Sequence, residues 1–447
     1  MKFNLMKNIK DYKGLHSGVF SSYFVTLSPI ITILIGLLAE LLVGEYMPFG
    51  AMTRQVYLFA FAFPFLFLSL DLFYIIIKER EFNSLKSTIK DHPELFILLG
   101  FLVWNIVATL LQREILGSSR AYTTILKPMG VQEGLFAFFI YALCVFVAFS
   151  IKDKKIVKNV LFSFIIVATI VSILALLDPG LNFTIHQTKS SNWVSVFINS
   201  NHYSYYLTLA TTLSAMGVVL SKVRWKWILS VVFLSFFCII MMFADTLGSN
   251  LAVWGVFILL PIFLSVVKQK FDWKYLLPLG IFTAISFLVL PFSKTFNSTY
   301  TSFYSQVINL VKEFFVVTSA PTSAEAASAG TDRWSLWLKA FKQIKENPII
   351  GNGNVLFRPH NEYLQFMQVW GIPSAIIYVS AFIVIFVKAI KRRKILSDLS
   401  LVLLFCVLAY LISALFGNTM PHTTPFFALF VGFLIRELNK TKIEASV

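Results

Sequence analysis

Charged residues are scarce in this chain of 447 residues, where Asp, Glu, Lys and Arg make up 13% and hydrophobic residues 57%. Water-soluble globular domains carry about 25% charged residues, so the composition excludes an ordinary soluble protein. Phe alone contributes 47 residues, and apolar runs repeatedly reach ~20 residues, the length that a helix needs to cross a bilayer. Because backbone groups in lipid must bond within their own segment, we predict that these runs are helices.

Cysteine is equally scarce. Cys144, Cys238 and Cys406 all lie inside apolar runs, which favours small buried hydrophobic residues over a disulfide or metal framework. His, Asp and Glu show no metal-ligand spacing, so we predict neither a metal nor another cofactor. The first twenty residues are too polar for a cleaved signal sequence, and the first span is therefore predicted to be a retained anchor.

The apolar runs predict an all-α, polytopic bundle of about twelve membrane-spanning helices that forms a single transmembrane domain over residues 1–447. The predicted spans lie near 23–43, 56–77, 94–111, 133–150, 159–177, 203–220, 227–244, 250–267, 275–292, 364–387, 400–416 and 424–435. With the N-terminus in the cytoplasm, each of the seven inner segments is basic, which the positive-inside rule requires. The net charge of +16 therefore follows the membrane, and nucleic acid is not a predicted partner. This orientation places both termini in the cytoplasm of a multi-pass plasma-membrane protein.

One connection is much longer than the others. Residues 293–363 form a predicted extracytoplasmic loop, too long for a simple turn and therefore a candidate functional segment. Within it, residues 332–346 predict an amphipathic helix with Trp334, Trp337, Leu338, Phe341 and Ile344 on one arc. Such a helix either lies in the membrane interface or packs on the bundle and closes the loop.

The chemistry-bearing residues follow this helix. Arg358, Pro359, His360 and Asn361 precede the predicted tenth span, so the imidazole is expected at the membrane surface. A neutral imidazole is the usual general base for a hydroxyl group. The planar donor array of Arg358 suits phosphate oxygens.

The segment Arg333 to Ser374 resembles the signature region of the O-antigen ligase and O-antigen polymerase superfamily. The matching residues are an Arg that opens an amphipathic helix, a Pro before a Gly-x-Gly turn, a His-Asn-x-Tyr-Leu block and a Gly in the next span: Arg333, Pro348, Gly351, Gly353, His360, Asn361, Tyr363, Leu364 and Gly371. Upstream, Asn199 to His202 resemble the Asn-x-Asn motif of this family. The arrangement of about twelve helices with one large external loop is similar too, and implies a GT-C-like fold.

This resemblance implies a metal-independent, inverting glycosyltransferase that moves a glycan from a polyprenyl diphosphate, such as undecaprenyl diphosphate, to an acceptor sugar hydroxyl outside the cytoplasmic membrane. His360 would be the base, while Arg333 and Arg358 would hold the diphosphate. Asn361, Asn199, Asn201 and His202 would contact substrate, and Tyr363 would stack on a sugar ring. Helix capping is the competing interpretation for the asparagines. The implied partners are the lipid-linked donor, the acceptor glycan, membrane lipid and other polysaccharide-assembly proteins of the cell envelope.

Two features bear on the donor contacts. Where this family often has a Ser-Arg pair, the chain has Ser249 and Asn250, and an amide cannot supply the charge of an arginine. The predicted loop after the third span holds Arg113 and Arg120, which could bind phosphate or could merely be solvated.

Three alternatives stay open at this point. Polymerisation of polysaccharide repeat units is slightly favoured over ligation, because the Lys-, Asn-, Ile- and Phe-rich composition suggests a cell without an outer-membrane lipid acceptor. A transporter or a lipid-linked oligosaccharide flippase would usually show buried ionisable residues and internal repeats. A non-catalytic scaffold would tolerate substitution of Arg333 and His360.

Overall fold

A computed structural model describes residues 25–30, 66, 91–117, 134–151, 153–181, 197, 200–289, 303–319, 333–353, 357–420 and 422–444. All regular secondary structure within these ranges is helical. The helices are α1 (Pro93–Leu116), α2 (Leu135–Ser150), α3 (Lys154–Leu181), α4 (Ser200–Leu220), α5 (Arg224–Ala244), α6 (Leu247–Lys268), α7 (Leu277–Leu288), α8 (Phe303–Ser319), α9 (Arg333–Glu346), α10 (Glu362–Trp370), α11 (Ile372–Lys391), α12 (Asp398–Ser413) and α13 (Thr424–Glu444). Short 3₁₀ turns, Trp273–Leu276 and Arg393–Ile395, precede α7 and α12.

Five of these helices are long and apolar enough to cross a membrane: α1, α3 over Lys154–Leu176, α5, α6 and α11. Shorter apolar helices accompany them, so the chain has the character of a helical membrane protein. The predicted spans near 23–43 and 56–77 lie almost wholly outside the described residues. The total of twelve spans and the side of the membrane on which the long loop lies therefore stay predictions.

Helix α4 is the central element of the bundle and packs against α3, α5, α6, α7 and α12. Almost every residue of α4 is buried, although many of them are polar. The hydroxyl groups of Thr208, Thr212 and Ser214 donate to the carbonyl oxygens four residues earlier in the same helix, so their burial leaves no donor unsatisfied. Small and hydroxyl-bearing residues let neighbouring helices approach closely, which is typical of membrane bundles.

The predicted tenth span, residues 364–387, is wrong as a continuous helix. The structure divides it into α10 and α11 at Gly371, which has φ +85°. Pro373 stands in the first turn of α11, where its missing N–H and fixed φ favour the start of a helix. The apolar run crosses this break without interruption, and hydrophobicity alone therefore predicted one helix.

The break leaves the last carbonyl groups of α10 without partners inside their own helix. The Gly-x-Gly turn that follows α9 supplies two of the missing hydrogen-bond donors, Asn352 N and Gly353 N. The last four carbonyls accept hydrogen bonds as follows: Met367 O from Gly371 N (3.0 Å), Gln368 O from Asn352 N (2.7 Å), Val369 O from Gly353 N (3.2 Å) and Trp370 O from Trp104 Nε1 (2.9 Å). Gln112 of α1 adds donations to Val369 O (2.6 Å) and Ile350 O (2.5 Å), so the break is fully bonded inside the bundle.

At its other end, α1 is joined to α11 by an ion pair. Lys388 Nζ lies 2.8 Å from Glu94 Oε1, whose carboxylate is buried, and donates to Asp91 O at 2.9 Å. Arg392 donates to Asn439 of α13 (3.2 Å), and Asn439 contacts His92. The antiparallel pair α1 and α11 is thus bonded at both ends, which fixes the position of the break between α10 and α11.

We predict that Gly371→Ala strongly destabilises the protein. A Cβ at this position would overlap the carbonyl oxygen of Ile349, and the positive φ is itself unfavourable for alanine. We expect a loss on the order of 3 kcal/mol, measured as a large fall in the midpoint of thermal unfolding in detergent. Gly280→Ala in α7 is the matched control, since a Cβ there meets no atom within 4 Å. Equal midpoints for the two variants would contradict this account.

Candidate functional site

The turn before α10 is held by two side chains of α9. Pro359 O accepts a hydrogen bond from Trp337 Nε1 at 3.1 Å, and His360 O accepts one from Arg333 Nη1 at 3.5 Å. Arg333 and Trp337 are four residues apart, so the helix places both on one face. His360 has φ +50°, a left-handed conformation that costs energy for any residue with a Cβ. The contacts from α9 therefore hold the histidine in a strained backbone geometry.

Arg333 joins three segments of the chain. Besides His360 O, its guanidinium donates to Phe416 O at 2.8 Å, in the loop between α12 and α13. Burial lowers the pKa of Arg333 from its ordinary value of 12.5, while the nearby Tyr205 and Glu313 act in the opposite direction. An arginine keeps its charge under such conditions, so a fixed cation lies beside the histidine turn.

Burial, together with the positive charges of Arg333 and Arg358, lowers the pKa of His360 to about 4. A histidine normally titrates near pH 6.5. At neutral pH the imidazole is therefore uncharged and able to accept a proton. The same two cations would attract an anion to this point, and a bound anion would raise the pKa of His360 again.

The first residues of α10 are also held by a helix cap and by hydrogen bonds to the end of α12. The Oδ1 atom of Asn361 accepts a hydrogen bond from Leu364 N at 3.0 Å, so this side chain caps the helix. Glu362 is buried, donates its N–H to Ala414 O (2.8 Å) and accepts from Tyr410 Oη (3.1 Å). These bonds tie the histidine turn to α12, and capping is the observed contact of Asn361.

Helix α9 occupies the position predicted for residues 332–346 and packs on both neighbours. Ala340 and Ile344 form a small core with Leu364 of α10. On its other side, the buried carboxylate of Glu313 in α8 accepts from Trp334 N at 2.9 Å. These contacts dock α9 on the bundle through its Ala340–Ile344 side.

A second wall of the site is made by the first turns of α4 and α6 and by the loop after α12. We call this region, together with the turn before α10, the site end of the bundle. Tyr205 Oη donates to Ser413 O at 2.5 Å. A Cβ on Gly417 would overlap the Tyr205 side chain, and a Cβ on Gly248 would overlap Phe416 and lie in contact with Tyr205 Oη. Ser204 Oγ lies 2.8 Å from Thr246 Oγ1. Because Tyr205 interacts electrostatically with Arg333, this wall faces the same cation.

The structure brings Arg333, His360, Arg358, Asn361 and Tyr363 together at the site end. Tyr363 Oη donates to Leu411 O at 2.8 Å, and its ring is partly buried. The predicted contact residues Asn201 and His202 lie in the first turn of α4, where His202 Nδ1 is 3.4 Å from His422 Nδ1. Whether these residues bind a substrate stays a prediction.

The remaining predicted residues lie on α1 or outside the described part of the chain. Arg113 lies exposed in the last turn of α1. Asn199 and Arg120 fall outside the described residues. In the ranges that the structure describes, no group of three or more His, Cys, Asp or Glu side chains could hold a metal ion.

Several residues of this region were not predicted from the sequence. Tyr205, Glu362 and Phe416 contribute to the site end, as do the buried polar residues Asn418, Thr419, Thr423 and Thr424. The polar stretch between the last two apolar runs was a signal for these four residues. Glu362 gave no such signal, because a carboxylate at a helix start usually points into water.

Comparison with protein-family models and with curated protein sequences finds no match for this chain.

We predict that Arg333→Gln raises the pKa of His360. The substitution removes a positive charge that disfavours the imidazolium form, so the titration should move upward from about 4. Histidine-selective ¹⁵N labelling and NMR titration of the purified protein would measure this pKa, with His360→Gln identifying the signal. Lys339→Gln, on the exposed side of α9, is the matched control and should leave the titration in place. An unchanged pKa in Arg333→Gln would refute the electrostatic coupling.

Proposed function

We propose that this chain transfers a glycan from a polyprenyl-diphosphate carrier to a sugar hydroxyl on the outer face of the cytoplasmic membrane. The observation that carries the proposal is the contact between Arg333 and the backbone of His360, which sets a fixed cation beside a neutral imidazole. Both residues belong to the motif that resembles O-antigen ligases and polymerases. The apolar helices around them are suited to hold a lipid-linked substrate at the membrane surface.

The chemistry of such a transfer matches these side chains. His360 takes the proton of the acceptor hydroxyl as its oxygen forms a bond to the anomeric carbon of the donor sugar. The bond from that carbon to the diphosphate oxygen breaks on the opposite side, which inverts the configuration. The electron pair leaves with the diphosphate, and Arg333 and Arg358 stabilise its developing charge.

Binding of the diphosphate also changes the pKa of His360, the proposed base. Without a bound anion, burial and the two nearby arginines hold the pKa of His360 at about 4, which makes the imidazole a weak proton acceptor. A bound diphosphate neutralises the arginine charges and raises this pKa toward the working pH. The base therefore becomes effective only once the donor is in place, which limits loss of the donor to hydrolysis.

Among transfer reactions we favour polymerisation of polysaccharide repeat units, with the growing lipid-linked chain and the incoming repeat unit as the two substrates. A ligase would use the same groups with a different acceptor. The Lys-, Asn-, Ile- and Phe-rich composition favours the polymerase, as does the presence of an amide, Asn250, where the ligase-type pattern has an arginine.

We predict that His360→Ala lowers transfer by about 10²- to 10⁴-fold, the usual contribution of a general base. The assay uses purified protein in nanodiscs with the lipid-linked saccharide fraction extracted from cells that lack this protein, and it measures released carrier diphosphate. Lys342→Ala, exposed on α9, is the control and should retain activity. Full transfer by His360→Ala would remove the proposed base.

A flippase would move lipid-linked saccharide across vesicles without releasing diphosphate, and a scaffold would do neither.

The pH dependence offers a separate check. Transfer requires neutral His360, so kcat/KM should rise with pH through the pKa of the free protein, about 4, and then level off. The acidic limb of kcat should lie at higher pH, because donor binding raises the pKa of the imidazole in the complex. Both limbs are obtained from initial rates between about pH 3 and pH 8, a range that includes the pKa of free His360, about 4, and the ordinary histidine pKa of about 6.5. Limbs in the reverse order would contradict the coupling between diphosphate and base.

A further inference from the structure

Five buried polar side chains lie at the site end, the region that also holds Arg333 and His360. They share an amide or hydroxyl group and carry no charge, and we call them the amide–hydroxyl cluster: Ser249, Asn250, Asn418, Thr419 and Thr423. Their exposed fractions are 0%, 2%, 4%, 1% and 0%. Two come from the first turn of α6 and three from the loop between α12 and α13.

The packing around Tyr205 brings these two segments together. Gly248, next to Ser249, lies against the Phe416 side chain and close to Tyr205 Oη. Gly417, next to Asn418, is also in tight contact with the Tyr205 side chain. Both segments of the cluster therefore pack next to the same tyrosine of α4.

The side-chain oxygens of the cluster lack partners. Ser249 Oγ, Asn250 Oδ1, Asn418 Oδ1, Thr419 Oγ1 and Thr423 Oγ1 are buried and make no hydrogen bond within the part of the chain that the structure describes. Buried polar atoms are nearly always bonded in folded proteins, and several unsatisfied ones in one place call for an explanation. A ligand that supplies the missing partners is such an explanation.

The chemistry of the cluster selects the kind of ligand. Hydroxyl groups both donate and accept, and amide oxygens only accept. A diphosphate offers acceptors alone, so it cannot satisfy the two amide oxygens. Sugar hydroxyls donate as well as accept, and they need no opposing charge. The cluster is therefore matched to a neutral sugar ring.

We propose that the amide–hydroxyl cluster is a sugar subsite next to the cationic diphosphate site. The inference rests on the proposed transfer reaction and deepens it. Arg333 donates to Phe416 O, and the Phe416 side chain lies against Gly248 in the first turn of α6. Phe416 therefore links the guanidinium to both segments that carry the cluster.

The test compares binding of two probes to the full-length chain in nanodiscs, in a His360→Ala background that prevents turnover. One probe is sugar-free undecaprenyl diphosphate, and the other is the lipid-linked saccharide fraction from cells that lack this protein. Thr419→Val and Thr423→Val remove one hydroxyl each with little change in shape. Each should weaken binding of the saccharide-bearing lipid by about three- to tenfold and leave binding of the sugar-free lipid unchanged.

Matched variants separate recognition from folding. Thr423→Ser keeps the hydroxyl and should retain binding. Thr212→Val removes an equally buried hydroxyl that bonds within α4, and it should not alter the preference for saccharide. Unchanged saccharide binding in both cluster valine variants would overturn the subsite. An equal loss for the sugar-free lipid would overturn it too, because the cluster would then be a phosphate site.

A competition arm identifies the source of the sugar. Saccharide released from its carrier by mild acid competes at the cluster if the subsite holds the acceptor, whereas only carrier-linked saccharide competes if it holds the donor sugar; either outcome supports the subsite. Unchanged saccharide preference in both cluster valine variants, with intact transfer by the unsubstituted chain, would overturn the subsite alone. Intact saccharide binding without transfer by the unsubstituted chain would overturn the proposed function alone.

Discussion

A helix that ends inside an apolar bundle must find donors for its last carbonyl groups, and the break at Gly371 imposes this requirement on the whole site end. The donors come from the glycine turn after α9 and from α1. Because Gly351 and Gly353 have positive φ, the turn can lie flat against the end of α10, where a Cβ on Gly351 would overlap the Val369 backbone. The break therefore determines where α9 lies, and α9 determines where the histidine turn lies.

The two ends of α10 differ in their hydrogen bonding and in their backbone strain. The last carbonyl groups at its C-terminal end all accept hydrogen bonds, whereas its N-terminal end carries the strained His360 turn beside the guanidinium of Arg333. The guanidinium of Arg333 donates to carbonyl oxygens of two segments. Its remaining N–H groups can donate to an anion. The same charge keeps the imidazole neutral, so the electrostatics of the site link proton acceptance to anion binding.

Neutral and charged polar groups are separated within the site end. The cations come from α9 and from the turn before α10, while the uncharged amides and hydroxyls come from α6 and from the loop after α12. A lipid-linked saccharide has the same division, with a charged diphosphate joined to a neutral glycan. This correspondence between the two halves of the site and the two halves of such a substrate is the physical basis of the proposed function.

The sequence by itself determined the helices, because a backbone in an apolar environment must satisfy its hydrogen bonds locally, and this shows in the length of the apolar runs. The motif resemblance also singled out Arg333 and His360 as candidate site residues, whose roles stay predictions, and amphipathic spacing predicted α9. The sequence did not determine the break at Gly371, although Gly371 and Pro373 mark it, since hydrophobicity is continuous there. A stripe of Asn105, Thr109 and Gln112 on α1, each bonded near the break, was a further signal of it.

Only the tertiary structure decided which polar residues meet. His360 and Phe416 follow Arg333 by 27 and 83 residues along the chain, and no local pattern links the three residues. The same holds for Glu362, whose buried carboxylate accepts from Tyr410 of α12, and for Gly248 and Gly417, which both lie next to Tyr205. Contacts of this kind depend on how helices pack across the bundle, and packing is a property of distant surfaces that no short stretch of sequence contains.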